Sequence, residues 1–359
     1  GKTTFVTSDL KRESYRLGEG IVGIVAKSVQ ALELDRGHDR IEMRNLGLNP
    51  HNIRNVLAVP LRIRENVLGV LVVQNRKHKS SFSGDDTRLL EALTEQAAIS
   101  INNARIYEEL ARTHRIRQEM SIATDIQKQL LPRDVPDAVH LQVHPFIRPA
   151  KEVGGDYYDF IESGPDKHAI VIGDVSGKGL PAGMIMVIAR TTLQIVARRN
   201  TDVKDVLTRF AQEMYPRMRR GQFMTLNFLL WDDNARTLCY SAAGHEHILW
   251  YRAKRQKSER IKAGGVAVGL LEDPSGFVSE SCLQTEPGDV IVLYTDGMTE
   301  ARNASEEMFT LNRLQDSLDR HAPLGDSKVV SEQIIADVTE FTGDAEQYDD
   351  ITLLVATVK

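Results

Sequence analysis

At 359 residues the chain is longer than a single hydrophobic core usually serves, so two domains are expected. Hydrophobic residues at 42%, charged residues at 26% and a net charge of -5 describe an ordinary soluble globular protein with no basic footprint for nucleic acid. No apolar run reaches the ~20 residues that span a bilayer, no signal peptide opens the chain, and Cys239 and Cys282 have neither disulfide-framework nor metal spacing, which together point to a cytoplasmic protein in a reducing compartment, without membrane or nucleic-acid partners.

The chain begins with Gly1, as a fragment of a longer protein would. Gly1-Lys-Thr-Thr4 has the tail of a phosphate-binding P-loop but neither its upstream glycine nor its strand, and is set aside. Glu19 to Lys27 reads as a turn followed by a short helix. Asn55 to Ile63 and Val67 to Gln74 are β-branched runs separated by a short polar turn, the pattern of an antiparallel hairpin. Ser83 or Asp85 then caps a helix starting around Asp86 and carrying Leu89, Leu90, Leu93 and Ala97. Leu17-Gly-Glu-Gly-Ile-Val-Gly23, the Ala58-Val-Pro-Leu61 hairpin and Phe82-Ser-Gly-Asp-Asp86 make residues 1–105 resemble a GAF sensor domain that is N-terminally incomplete. The resemblance implies a module that binds a small molecule or pairs two copies of the chain, and leaves both open. Asn75-Arg76 followed by Phe82 and Asp85-Asp86 has one spacer residue fewer than the cyclic-nucleotide pattern, so a cyclic nucleotide is not expected.

From Asp86 to Leu131 there is no Pro or Gly, which fits one long helix or two stacked ones. Leu110, Ile116, Met120, Ala123, Ile126 and Leu130 recur at helical spacings among polar residues, so 106–131 is read as an amphipathic helical connector stopped by Pro132. A rigid helix transmits movement between domains where a Gly/Ser linker does not, although a passive spacer has the same sequence. Residues 132–359 form the second unit. Strand-like runs near 141–147, 168–173, 223–231, 237–243, 247–251, 290–295 and 351–358 alternate with helical stretches near 180–199, 202–218, 307–320 and 327–342. The 180–199 helix is apolar on most sides, which places it between layers of a sheet-and-helix sandwich.

The chemistry gathers at strand ends. The apolar run Ala169–Ile172 delivers Asp174 into the turn Gly173-Asp-Val-Ser-Gly-Lys-Gly179, and Pro181 opens the helix that follows. Bare backbone beside a strand-end carboxylate suits a hard cation with oxygen ligands. Asp156 in Gly154-Gly-Asp-Tyr-Tyr158, Asp296 after Val290–Thr295, and Asp349 before Ile351–Val358 occupy similar settings. Four carboxylates at one sheet edge cannot all stay ionised without cations. Mg²⁺ or Mn²⁺ would relieve that repulsion, and the absence of His or Cys ligand spacing argues against zinc. Lys178 is open to two readings, a phosphate-steering group or an exposed turn lysine. His245 is assigned to loop packing and His247 to the surface.

Together, Gly154-Gly-Asp156, Gly173-Asp-Val-Ser-Gly177, Ala243-Gly-His-Glu-His247, Tyr294-Thr-Asp-Gly297 and Asp349-Asp-Ile-Thr352 resemble the metal-dependent (PPM) serine/threonine protein phosphatases, in their bacterial SpoIIE/RsbU branch. Ile126-Gln-Lys-Gln-Leu-Leu-Pro132 resembles the segment preceding the catalytic domain in that branch. The resemblance implies an α+β protein: a GAF-like antiparallel sheet with helices, a helical connector, and an α/β sandwich of two antiparallel sheets flanked by helices. It implies a centre of two Mn²⁺ or Mg²⁺ ions, bridged by Asp174 and also held by the Val175 carbonyl, Asp296 and Asp349, with Asp156 on the second ion partly through water. Asp350 is then structural. The implied reaction is hydrolysis of phosphoserine or phosphothreonine on a phosphorylated STAS-type anti-sigma-factor antagonist, set by a homodimer formed through the GAF domain and connector. The eukaryotic branch has a His beside the bridging Asp, and this chain has none. A catalytically inactive partner-binding scaffold and a two-metal nucleotide hydrolase are the competing readings.

Overall fold

The computed structural model describes residues 16–77, 81–132, 134–151, 153–198, 202–262 and 264–359, so the Gly1–Thr4 stretch and Glu152 lie outside the described residues. The chain divides into two compact units, Gly1–Arg115 and Ile116–Lys359.

In the first unit α1 (Gly20–Ser28), β1 (Leu32–Asp35), α2 (Arg40–Asn45), β2 (Asn55–Ile63) and β3 (Asn66–Gln74) precede a long helix, α3 (Gly84–Leu130). The strands form an antiparallel sheet in the order β1-β2-β3. Arg64, in the left-handed region, turns the β2–β3 hairpin. The helices bury Ile21, Val25 and Met43 against Leu34, Val56 and Ala58. Ser83 is the start signal for α3, its N–H and hydroxyl both donating to the Asp86 carboxylate, at 2.8 and 2.6 Å. With no Gly or Pro past Gly84, α3 is a single helix of 47 residues.

The second unit adds β4 (Leu141–Arg148), β5 (Tyr157–Glu162), β6 (Lys167–Val175), α4 (Leu180–Ala197), α5 (Val203–Met214), β7 (Met224–Asp232), β8 (Thr237–Ala243), β9 (Ile248–Arg252), β10 (Lys257–Ile261), β11 (Ser281–Gln284), β12 (Val290–Tyr294), α6 (Asp296–Thr299), α7 (Thr310–His321), α8 (Ser327–Thr342) and β13 (Ile351–Val358). Two five-stranded sheets, ordered β10-β9-β12-β13-β4 and β11-β8-β7-β6-β5, are antiparallel throughout. Leu141, Ile170, Ile172, Trp231, Trp250, Ile291 and Leu293 fill the space between the sheets. Outside one sheet, Met186, Leu193 and Phe210 of α4 and α5 pack on Tyr157, Val171 and Phe228. Outside the other, Leu314, Leu318, Ile334 and Val338 of α7 and α8 pack on Val292, Leu353 and Val355. This is the expected sandwich of two antiparallel sheets between helical layers.

Two expectations change. Expected between layers, α4 instead covers the outside of the β5–β8 sheet, burying Ala182, Met186, Ala189 and Leu193 and leaving Met184 and Ile195 exposed. Cys239 and Cys282 are not isolated. The β8–β11 register sets them directly opposite, their Cα atoms 3.9 Å apart, and they form a disulfide. Their separation of 43 residues conceals a pairing that only the sheet creates.

Candidate metal centre

The topology explains why four distant acids meet. β5 and β6 are antiparallel neighbours, with Tyr157 opposite Gly173, so the start of β5 and the end of β6 lie at one end of their sheet. β12 and β13 stand in the same relation in the other sheet, with Tyr294 opposite Leu353. Asp156 immediately precedes β5, Asp174 and Val175 close β6, Asp296 opens α6 directly after β12, and Asp349 lies two residues before β13. Each sheet thus supplies one pair of carboxylates.

Two threonines join the sheets at this point. Thr295 Oγ1 donates to Asp156 Oδ2 at 2.8 Å, and the Thr352 hydroxyl donates to the same oxygen. Asp156 is 2% exposed, and burial followed by the Asp174 charge raises its pKa well above the usual carboxylate value. Burial, with the charges of Asp296, Asp349 and Asp350, raises Asp174 to about 7. Asp296 is raised to about 6 by burial and by Asp349, Glu300 and Glu246.

The backbone here leaves no room for side chains. A Cβ on Gly155 would come within 2.8 Å of the Val175 carbonyl oxygen and 3.2 Å of Asp174 Oδ1. One on Gly297 would fall 1.9 Å from the Asp350 carbonyl oxygen. Asp350 accepts from the Ala150 and Gly155 N–H groups, each at 2.7 Å, and so caps main chain beside the centre.

Lys178 is not a free turn lysine. Its ammonium lies 2.8 Å from Asp349 Oδ2, donates to the Tyr348 carbonyl at 2.7 Å and stands 4.2 Å from the centre of the Tyr348 ring. His245 Nδ1 is 2.8 Å from Thr225 Oγ1, and burial lowers its pKa to about 4, so the ring packs the loop as a neutral group. His247 is half-buried rather than on the surface. The roles of Thr295, Thr352 and Lys178 escape a reading of the sequence, although all three stand inside the aspartate motifs.

The donor set is all oxygen, which fits Mg²⁺ or Mn²⁺ and not a thiolate-seeking metal. The upward displacement of Asp174 and Asp296 is the mark of crowded negative charge that a divalent ion would relieve. Among the described residues, the group of three metal-ligating atoms within 4.8 Å of one another is Cys239, Glu280 and Cys282, whose sulfurs are already bonded together. Asp156, Asp174, Asp296 and Asp349 form no such group of three, although their charges act on one another.

Comparison with known proteins agrees with this architecture. The family model described as Stage II sporulation protein E (SpoIIE) matches residues 164–359, and the GAF domain model matches residues 3–101. Protein IcfG of Synechocystis sp. is 30% identical over 267 residues, covering 66% of this chain and 41% of IcfG, so the chain spans less than half the length of that relative. Phosphoserine phosphatase RsbU of Bacillus subtilis is 30% identical over 244 residues, covering 67% of this chain and 70% of RsbU. Among solved structures, the SiaA-PP2C domain of Pseudomonas aeruginosa superposes with a TM-score of 0.60 at 23% identity, covering 69% of this chain and 99% of that domain, a likeness of fold.

Proposed function

Because the chain belongs to the SpoIIE family of metal-dependent phosphatases and carries an N-terminal GAF domain, we propose that it removes phosphate from phosphoserine or phosphothreonine on a partner protein. The observation that carries this reading is the meeting of Asp156 and Asp174 from one sheet with Asp296 and Asp349 from the other, where burial and neighbouring carboxylates raise Asp174 to about 7. Asp174, the Val175 carbonyl, Asp296 and Asp349 would hold one divalent ion, and Asp174 with Asp156 a second. Mn²⁺ or Mg²⁺ bound there supplies a water activated near neutral pH and positive charge for the phosphate oxygens. The chain's own part is positional. Thr295 and Thr352 fix Asp156 across the two sheets, and Asp350 fixes the Gly155 main chain.

Likeness to RsbU supports a phosphorylated STAS-type anti-sigma-factor antagonist as the substrate and the cytoplasm as the site of action. Residues 1–105 would act as the GAF sensor or dimerisation domain, 106–131 as the connector and 132–359 as the phosphatase. Exposed apolar side chains along α3, among them Leu110, Ile116, Ile122 and Ile126, support a homodimer paired through this helix. A small molecule bound by the GAF domain would set the activity through α3. The test is a Mn²⁺ titration of phosphate release from a phosphorylated antagonist by the full chain. Asp174→Asn and Asp296→Asn each abolish release, and wild-type activity that survives EDTA overturns the reading.

A further inference from the structure

Past Ala98, Gln127 is the one buried residue of α3, and it lies one turn before the helix ends. Its carboxamide meets the main chain of Gly154 in both directions. Nε2 donates to the Gly154 carbonyl at 2.7 Å, and Oε1 accepts from the Gly154 N–H at 3.1 Å. The pairing joins residues 27 apart in the chain, and both bonds are buried. α4 leaves space for it at Gly183, where a Cβ would stand 2.3 Å from Val153 Cγ1 and 3.5 Å from Gln127 Nε2.

Gly154 begins the turn that presents Asp156. The next residue is tied from the opposite side, its N–H donating to Asp350 at 2.7 Å and its carbonyl accepting from Val175 N–H at 3.3 Å. Two consecutive glycines have the greatest backbone freedom of any pair, so a turn built on them depends on outside partners for its shape. We infer that Gln127 is a positioning residue for the divalent-cation centre: the end of α3 sets the main chain on which Asp156 is presented. This rests on the reading of Asp156 as a metal ligand. Groups that orient a metal ligand without touching the ion are typically worth roughly 10–100-fold in metal affinity or activity.

The experiment is calorimetric titration of Mn²⁺ into the metal-free full-length chain, with amide hydrogen exchange over Gly154 to Asp156 in parallel. Gln127→Met keeps the side-chain volume and loses both bonds. Its Mn²⁺ affinity falls by at least roughly tenfold, and exchange at Gly154 accelerates. Gln127→Glu, studied at a pH where its carboxyl is ionised, still accepts from the Gly154 N–H but cannot donate to the carbonyl. Its Gly154 amide therefore stays protected while Mn²⁺ affinity falls, and this variant carries the test alone should the methionine variant not fold. Folded variants that bind Mn²⁺ as the wild type does overturn the role of Gln127 and leave the centre intact. Wild-type protein that binds no Mn²⁺ overturns the centre itself, and this inference with it.

Discussion

Lys178 and Asp349, 171 residues apart in the chain, are joined by a 2.8 Å contact at the rim of the carboxylate cluster, with their side chains 32% and 30% exposed. Burial works against the lysine's charge, but the hydrogen bond to Asp349 and that residue's charge outweigh it and raise its pKa. The ammonium therefore occupies a carboxylate that a divalent ion would also use. Lys178→Met removes the competing cation and should tighten Mn²⁺ binding. A partly exposed ion pair is worth about 1 kcal/mol or less, so the expected gain is up to about fivefold. Calorimetric titration checks this, and weaker binding in the variant would show instead that the lysine supports the site.

The raised carboxylates make the stability of the metal-free protein depend on pH. Unfolding returns Asp174 and Asp296 from about 7 and about 6 to their ordinary value of 3.8. Between those limits the folded chain holds protons that the unfolded chain has released, so stability falls as pH rises through this window. Metal-free protein should lose roughly 5 °C or more in the unfolding midpoint of its second unit between pH 5 and pH 8. Mn²⁺ should restore it, by more at pH 8 than at pH 6, because protons compete for the same oxygens. Asp174→Asn should flatten the decline. Scanning fluorimetry at several pH values reads all three effects, and a metal-free midpoint that holds steady or rises over this range contradicts the electrostatic account.

What the sequence made legible was local. Asp174 and Asp296 announce themselves because a short apolar run ends on each, and α3 announces itself because no Gly or Pro interrupts it. β5 was missed because Asp159 and Glu162 break its apolar run. Asp159 is in fact buried, accepting from Tyr157 Oη at 3.1 Å and from Gln194 Nε2 at 2.9 Å. Charged β10 and four-residue β11 were missed for want of periodicity. The threonine clamp on Asp156 spans 139 and 196 residues of chain, and no local pattern records such a pairing.

The Cys239–Cys282 bond closes a loop between residues 43 apart and pins β11, the edge strand of its sheet. Constraining the unfolded chain in this way is worth about 2–4 kcal/mol. Reduction should therefore lower the unfolding midpoint of the second unit by roughly 5–10 °C. Neither cysteine belongs to the aspartate motifs, so phosphate release at 25 °C should survive reduction. A midpoint unchanged by dithiothreitol would mean that the bond adds nothing to the folded state. In a reducing compartment the two residues would stand as facing thiols, and mass spectrometry of alkylated protein distinguishes the two forms.

α3 offers the most direct test of the proposed dimer. Ile106 is 47% exposed and Leu110, one turn on, is 60% exposed, and an apolar pair of this size on one face of a helix gains by meeting a second copy. Light scattering on the full chain should give about twice the 40.2 kDa chain mass. Ile106→Glu with Leu110→Glu sets like charges against each other across such an interface and should return the monomer mass. Met120→Pro addresses transmission rather than pairing. Proline removes a hydrogen bond inside the helix and clashes with the carbonyl four residues earlier, at a cost of about 3 kcal/mol. It should therefore kink α3 between Ile116 and Gln127 and change the basal rate of phosphate release relative to the wild type. An unchanged mass in the glutamate variant would refute pairing through α3, and an unchanged rate in the proline variant would leave the helix as a passive spacer.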